Sequence, residues 1–113
     1  MQHSPGFVAL VESIRPKVNE LTFTQYEHTP AVLLIDIRED HEWQQGFIPQ
    51  AVHLGRGIIE RDIERLYPDK NQPMVLYCGG GHRSVMSAYH LQLMGYRAVY
   101  SLIGGFKAWQ QTQ

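Results

Sequence analysis

One stretch of the chain limits its possible folds more than any other. It runs from Met74 to Tyr77, continues through Cys78 and three glycines, and ends in His-Arg-Ser. A short apolar run bounded by turn residues predicts a buried strand. After the glycines the spacing becomes helical, and one face would carry Val85, Ala88, Leu91 and Met94. The only cysteine of the chain therefore lies at a predicted strand-to-helix turn.

This turn suits an anionic sulfur. Glycines bend tightly and leave the backbone N–H groups uncovered, so a turn that opens a helix can become an electropositive cup. Arg83 adds a positive charge, and the thiolate is the nucleophilic form of cysteine. A buried and inert cysteine is the alternative. We favour a reactive Cys78, because a glycine triplet gives a core cysteine no packing benefit.

The histidine in this turn has three possible roles. His82 could be a base for the thiol, a substrate contact or a solvated turn residue, and the sequence does not separate these roles.

Helices and short apolar strands alternate along the chain, which predicts an α/β fold with a parallel sheet covered on both faces. The expected strands span residues 18–21, 31–37, 51–54, 74–77 and 98–102. A helix within residues 1–17 should pack on the body of the domain. Short helices should begin at Thr22 or Thr24 and at Glu39 or Asp40. The next helix should bury a stripe of Ile58, Ile59, Ile63 and Leu66, and core positions are expected for Trp43, Phe47 and Trp109.

Two arginines are predicted at the carboxyl ends of strands, where open parallel sheets form their sites. Arg38 has several acidic neighbours, so we expect a structural ion pair rather than a substrate contact. Arg56 stands between two glycines and has no adjacent acid. We include it as a candidate substrate-binding residue.

The composition and charge of the chain disfavour some classes of binding partner. A chain of 113 residues with 43% hydrophobic content is expected to form one domain, 1–113. A net charge of −1 without basic or acidic runs disfavours nucleic acid and membrane surfaces as partners. We also find no membrane span or signal peptide, and one cysteine excludes an internal disulfide and the simplest zinc sites. We therefore expect a cytoplasmic protein.

Three blocks of the sequence resemble the rhodanese-like (thiosulfate sulfurtransferase) domain. They are Asp36-Ile37-Arg38 through Trp43 and on to Ala51, then Cys78 through Ser84, and finally Leu102 through Trp109. Together they cover the chain from about Ala31 to Trp109 in the order and spacing of that family.

The resemblance implies a five-stranded parallel sheet and a cysteine, Cys78, that accepts sulfane sulfur as a persulfide. Thiosulfate would deliver its outer sulfur, and cyanide, a small thiol or a protein thiol would receive it. No metal or organic cofactor is implied. The residues expected around the substrate are Gly79, Gly80, Gly81, His82, Arg83 and Ser84.

Other activities remain open. A persulfide carrier would use the same residues, and some family members serve only as binding modules. Cysteine-dependent phosphatases place five residues between cysteine and arginine, whereas Cys78 and Arg83 have four between them. This shorter loop suits a sulfur atom better than a phosphoryl group, and it disfavours a phosphatase or an arsenate reductase.

Overall fold

The computed structural model describes residues 3–113, and it confirms the predicted α/β architecture. Five parallel strands form one sheet in the order β1-β5-β4-β2-β3. The strands are β1 (Asn19–Leu21), β2 (Leu33–Asp36), β3 (Val52–His53), β4 (Met74–Tyr77) and β5 (Val99–Leu102). The helices are α1 (Pro5–Ile14), α2 (Phe23–Glu27), α3 (Asp40–Gln44), α4 (Ile59–Leu66), α5 (Arg83–Leu93) and α6 (Gly105–Gln110), and a 3-10 turn (Arg15–Lys17) follows α1.

Helices cover both faces of the sheet, as predicted. On one face, α1, α4 and α5 contribute Val11, Ile63 and Leu91 to the larger part of the core. On the other face, α2 and α6 pack Phe23 and Trp109 against the sheet. The α1 helix packs on α5 and contributes to the larger part of the core. The first two residues of the predicted 1–17 segment lie outside the described residues.

The local sequence explains how several elements begin. Thr22 caps α2, because its side chain accepts the Gln25 N–H while the Gln25 side chain accepts the Thr22 N–H. β4 is the middle strand of five and is buried along its whole length. Its apolar composition is what a strand covered on both faces requires.

Some core predictions were wrong. In the predicted stripe of α4, Ile59 and Ile63 are fully buried, but Ile58 is 39% exposed and Leu66 is 45% exposed. Ile58 precedes α4 as its N-cap and Leu66 is its last residue, so these two residues lie at the ends of the stripe, where less of the protein covers them. Phe47 is also exposed, and Trp43, on which it stacks, is only half-buried and belongs to neither part of the core. The β2 strand (Leu33–Asp36) is also shorter than the predicted span of residues 31–37.

None of the helices between residues 3 and 113 combines the length and the apolar character needed to cross a membrane.

The buried tyrosine of β4 generates a stability prediction. The Tyr77 hydroxyl accepts the Ile48 N–H at 3.1 Å in a fully buried setting. Tyr77→Phe leaves that N–H without its acceptor, so the free energy of unfolding should fall by about 1–3 kcal/mol. Urea denaturation measures the change. Tyr100→Phe is the control, because no described residue bonds the Tyr100 hydroxyl, and an equal loss in both variants would contradict the assignment.

Candidate active site

The sulfur of Cys78 lies beneath the turn that joins β4 to α5. The Gly81 N–H donates to Sγ at 3.1 Å and the Ser84 N–H donates to it at 3.4 Å. The Ser84 hydroxyl is 3.5 Å from the same sulfur. These donors form a cup around one atom, and such a cup favours negative charge on that atom.

Cys78 is only 1% exposed. Burial would fit an inert core cysteine, but an inert thiol needs no inward-pointing backbone donors. Gly80 is the exposed member of the glycine triplet, and no atom lies within 4 Å of the position where a Cβ would stand. The approach to Cys78 is therefore most open at Gly80.

The carboxyl end of β5 and the start of α6 support the loop from behind. The Phe106 N–H donates to the Cys78 carbonyl at 2.8 Å, and the Lys107 N–H donates to the Gly79 carbonyl at 3.1 Å. Gly105 has φ +53°, and any side chain there would overlap the Cys78 carbonyl. Only glycine allows α6 to begin this close to the loop.

A pair of hydroxyls supports the loop from below. The Ser84 hydroxyl lies 2.8 Å from that of Ser101 on β5, and both residues are fully buried. Sequence reasoning missed Ser101, although a serine inside an otherwise apolar buried strand is a detectable signal.

Arg83 does not face the sulfur as an unpaired cation. Its guanidinium forms a two-pronged ion pair with the Glu42 carboxylate, at 2.7 and 3.0 Å. The hydrogen bonds from Arg83, aided by the Glu39 backbone and the Arg38 charge, lower the pKa of Glu42 to about 2 despite partial burial. The same pairing raises the pKa of Arg83, with a smaller contribution from Cys78. Glu42 thus offsets much of the positive charge that the sequence placed beside Cys78.

His82 lies on the N-terminal side of the loop. Its ring centroid is 4.5 Å from that of His3 and 6.1 Å from that of Phe7. Burial lowers the pKa of His82, and the His3 and Arg15 charges lower it further. Among the described residues, its buried Nδ1 has no hydrogen-bond partner. No local sequence pattern predicts the contact of His82 with His3 and Phe7. The role of His82 as a base or a substrate contact stays a prediction.

Arg38 and Arg56, the two arginines predicted at the ends of strands, lie on a neighbouring part of the same edge of the sheet. Arg38 is buried and pairs with Asp36 at 2.7 Å, the structural ion pair that the sequence favoured. It also donates to the Gly46 carbonyl at 2.7 Å. Arg56 borders a separate cavity of about 540 Å³ with Arg38 and His53, and no residue of the Cys78 loop lines that cavity. A substrate contact for Arg56 stays a prediction.

Across residues 3–113, no three His, Cys, Asp or Glu side chains meet in an arrangement that would hold a metal ion.

Comparison with known proteins identifies relatives of the chain. A sequence model of the rhodanese-like domain matches residues 22–112. The thiosulfate sulfurtransferase GlpE of Coxiella burnetii is 34% identical over 79 residues, which are 70% of this chain and 72% of that protein. The putative sulfurtransferase YtwF of Bacillus subtilis is 42% identical over 77 residues, covering 68% and 72%.

A solved structure extends the comparison to the N-terminal region. It is a Rhodopseudomonas palustris protein of unknown function, described as a possible tyrosine phosphatase, with a TM-score of 0.84 and 26% identity. The alignment covers 99% of this chain and 94% of that one. The helix that precedes the matched family region is therefore not peculiar to this chain.

The ion pair between α3 and the loop predicts a specific dependence on pH. Glu42 has an ordinary pKa of 4.5 and a pKa of about 2 in the folded protein. Its contribution to stability is therefore complete above about pH 4.5 and is lost as the pH falls towards about 2. Glu42→Gln removes this dependence, so its stability should fall less steeply than that of the wild type over this range.

Urea midpoints measured at several pH values between about 6 and 2.5 test this expectation. Glu60→Gln is the control, because Glu60 pairs with His90 away from the loop. Parallel curves for the wild type and Glu42→Gln would show that the ion pair contributes no stability.

Proposed function

Because the chain belongs to the rhodanese-like domain family, we propose that it is a sulfurtransferase that carries sulfane sulfur as a persulfide on Cys78. The observation that carries this proposal is the pair of backbone N–H groups, from Gly81 and Ser84, directed at Sγ. Relatives named as sulfurtransferases support the same activity.

The first half of the reaction uses a thiosulfate-like donor. The Cys78 thiolate attacks the outer sulfur, the sulfur–sulfur bond of thiosulfate breaks, and sulfite leaves with the bonding electron pair. The thiolate, the donor and the persulfide are all anions. Fixed N–H donors stabilise such charge without reorganising during the reaction.

The second half returns Cys78 to its starting state. A thiolate or cyanide attacks the outer sulfur of the persulfide, and the sulfur–sulfur bond breaks with its electrons remaining on Cys78. The acceptor leaves as a persulfide or as thiocyanate. This is covalent catalysis with a ping-pong order, and it requires neither a metal nor an organic cofactor.

Arg83 has an indirect place in this mechanism. Its bidentate pairing with Glu42 holds the guanidinium close to Gly79, where a Cβ would lie 3.1 Å from Nη2. From this position Arg83 supplies a partly offset positive charge to the bound anion and keeps the first residue of the loop in place.

A persulfide carrier is the main alternative, because it would load sulfur on the same cysteine and pass it to a protein thiol. A module kept only for binding would need no donors around Sγ. A phosphatase or an arsenate reductase fits less well, because the loop is short and the sulfur is buried. We therefore place sulfur transfer first.

The nucleophile assignment is tested by Cys78→Ser. After incubation with thiosulfate, intact mass spectrometry of the wild type should show one added sulfur atom, and the Ser variant should show none. Its circular dichroism spectrum and thermal midpoint should stay close to those of the wild type, because the two side chains have similar size. Turnover with cyanide or a thiol then distinguishes an enzyme from a carrier, and full activity of the variant would refute the assignment.

The contribution of Arg83 is tested by Arg83→Ala. Loss of a charge-assisted contact should raise the KM for thiosulfate by roughly tenfold. Arg61→Ala is the matched control, since Arg61 pairs with Asp62 on the exposed surface of α4. An unchanged KM in Arg83→Ala would mean that the backbone donors bind the anion without help from this side chain.

A further inference from the structure

A second cavity, of about 290 Å³, opens beside the Cys78 loop. Gly80 forms its inner border, and the N-terminal segment and α6 contribute His3, His82 and Lys107. This volume is at the small end of the range for ligand sites. It suits a small molecule and not a protein segment.

The side chains that line this cavity differ in charge from the Arg83–Glu42 pair on the other side of the loop. None of the described residues that line it is acidic. Within residues 3–113 the Lys107 ammonium has no carboxylate partner, whereas Arg83 is paired with Glu42. The unpaired cation next to the open side of the loop is therefore Lys107, whose backbone N–H is already fixed on Gly79.

The two histidines form the wall opposite α6. His3 lies against His82 with ring centroids 4.5 Å apart. The pKa of His82 is lowered by burial and nearby positive charge, which favours a neutral ring near neutral pH. His3 stands outside the matched family region of residues 22–112, so the N-terminal segment completes a cavity that the family region alone would leave open.

We propose that this cavity, bounded by His3, His82 and Lys107, binds the carboxylate of a small thiol acceptor while its thiol group attacks the Cys78 persulfide. This inference rests on the proposed function and adds the class of acceptor. The thiol enters as a thiolate, having released its proton to solvent, and takes the outer sulfur. The sulfur–sulfur bond on Cys78 breaks, and the acceptor leaves as a persulfide.

The position of the cation favours the acceptor over the donor. Thiosulfate carries its charge on its reacting outer sulfur and on oxygens only two bonds away, so it needs positive potential close to Sγ itself. A thiol with a carboxylate several bonds away needs a cation set to one side of the sulfur. Lys107 has that placement, because it lies within α6 with its backbone N–H bonded to the Gly79 carbonyl, and it lines the cavity together with Gly80.

Three acceptors of similar size test the inference: 3-mercaptopropionate, 2-mercaptoethanol and cysteamine, which carry a negative, a neutral and a positive group. With thiosulfate as donor, we measure kcat/KM for each acceptor and for cyanide. Lys107→Glu should lower the ratio of mercaptopropionate to cysteamine at least tenfold, because it reverses the charge. His3→Ala should lower the same ratio about threefold.

Lys70→Glu is the matched control. It makes the same change in charge before the amino end of β4, at the opposite edge of the sheet, and it should leave the ratio unchanged. Lys107→Gln replaces Lys107→Glu if circular dichroism shows that the latter does not fold, with a smaller expected decrease of about fivefold.

The outcomes separate the two proposals. In one outcome, the wild type loads sulfur on Cys78 and turns over with cyanide while its ratio of mercaptopropionate to cysteamine equals that of the Lys107 variant. This result would overturn the acceptor site and leave sulfur transfer intact. Equal decreases in the Lys107 and Lys70 variants would also overturn it, because they would reflect overall charge. Absence of sulfur loading in the wild type would overturn the proposed function and this inference with it.

Discussion

The candidate site depends on the contact between the Cys78 loop and the start of α6. Two backbone N–H groups of α6 bind the carbonyls of Cys78 and Gly79, and the side-chain-free Gly105 lets the two segments meet. With its carbonyls held from behind, the loop turns its own N–H groups towards the sulfur. Backbone groups of α6 thus help to determine the electrostatics at the side chain that directly follows β4.

Two ion pairs hold the other segments that surround the Cys78 loop. Asp36 at the end of β2 holds Arg38, which in turn binds the Gly46 carbonyl after α3. The α3 helix carries Glu42, which holds Arg83 at the start of α5. The first pair lies at the end of β2, and the second joins α3 to the start of α5. The Asp36–Arg38 pair is buried, and such a pair is costly to break by removing one partner, whereas the Glu42–Arg83 pair is partly exposed.

Much of the fold could be predicted from local patterns, because the apolar spacing that is typical of strands and helices can be seen in short stretches of sequence. The strand, the glycine turn and the helix around Cys78 follow from about twenty consecutive positions. The Glu42–Arg83 pair does not, since it joins residues 41 positions apart and several other acids were equally available. The same limit applies to His3 against His82, where the contact depends on how α1 lies across α5.

The errors at Ile58, Leu66 and Phe47 have a related cause. Spacing shows which residues share a side of a helix, but it does not show how much of that side the neighbouring elements cover. Ile59 and Ile63 are buried in the larger part of the core, whereas Ile58 and Leu66, at the two ends of the stripe, are partly exposed.

Because β4 is the middle strand of the sheet, we expect the backbone before Cys78 to be less mobile than the glycines after it. Amide hydrogens of a middle strand exchange with solvent only when the domain opens as a whole, whereas those of exposed glycines exchange through local fluctuations. The β4 strand, which ends just before Cys78, is bonded on both sides by β5 and β2, while no atom lies within 4 Å of the position where a Cβ of Gly80 would stand. Cys78 is thus anchored beside the slowest-exchanging region, and the exposed Gly80 is the part of the loop where local fluctuations are expected.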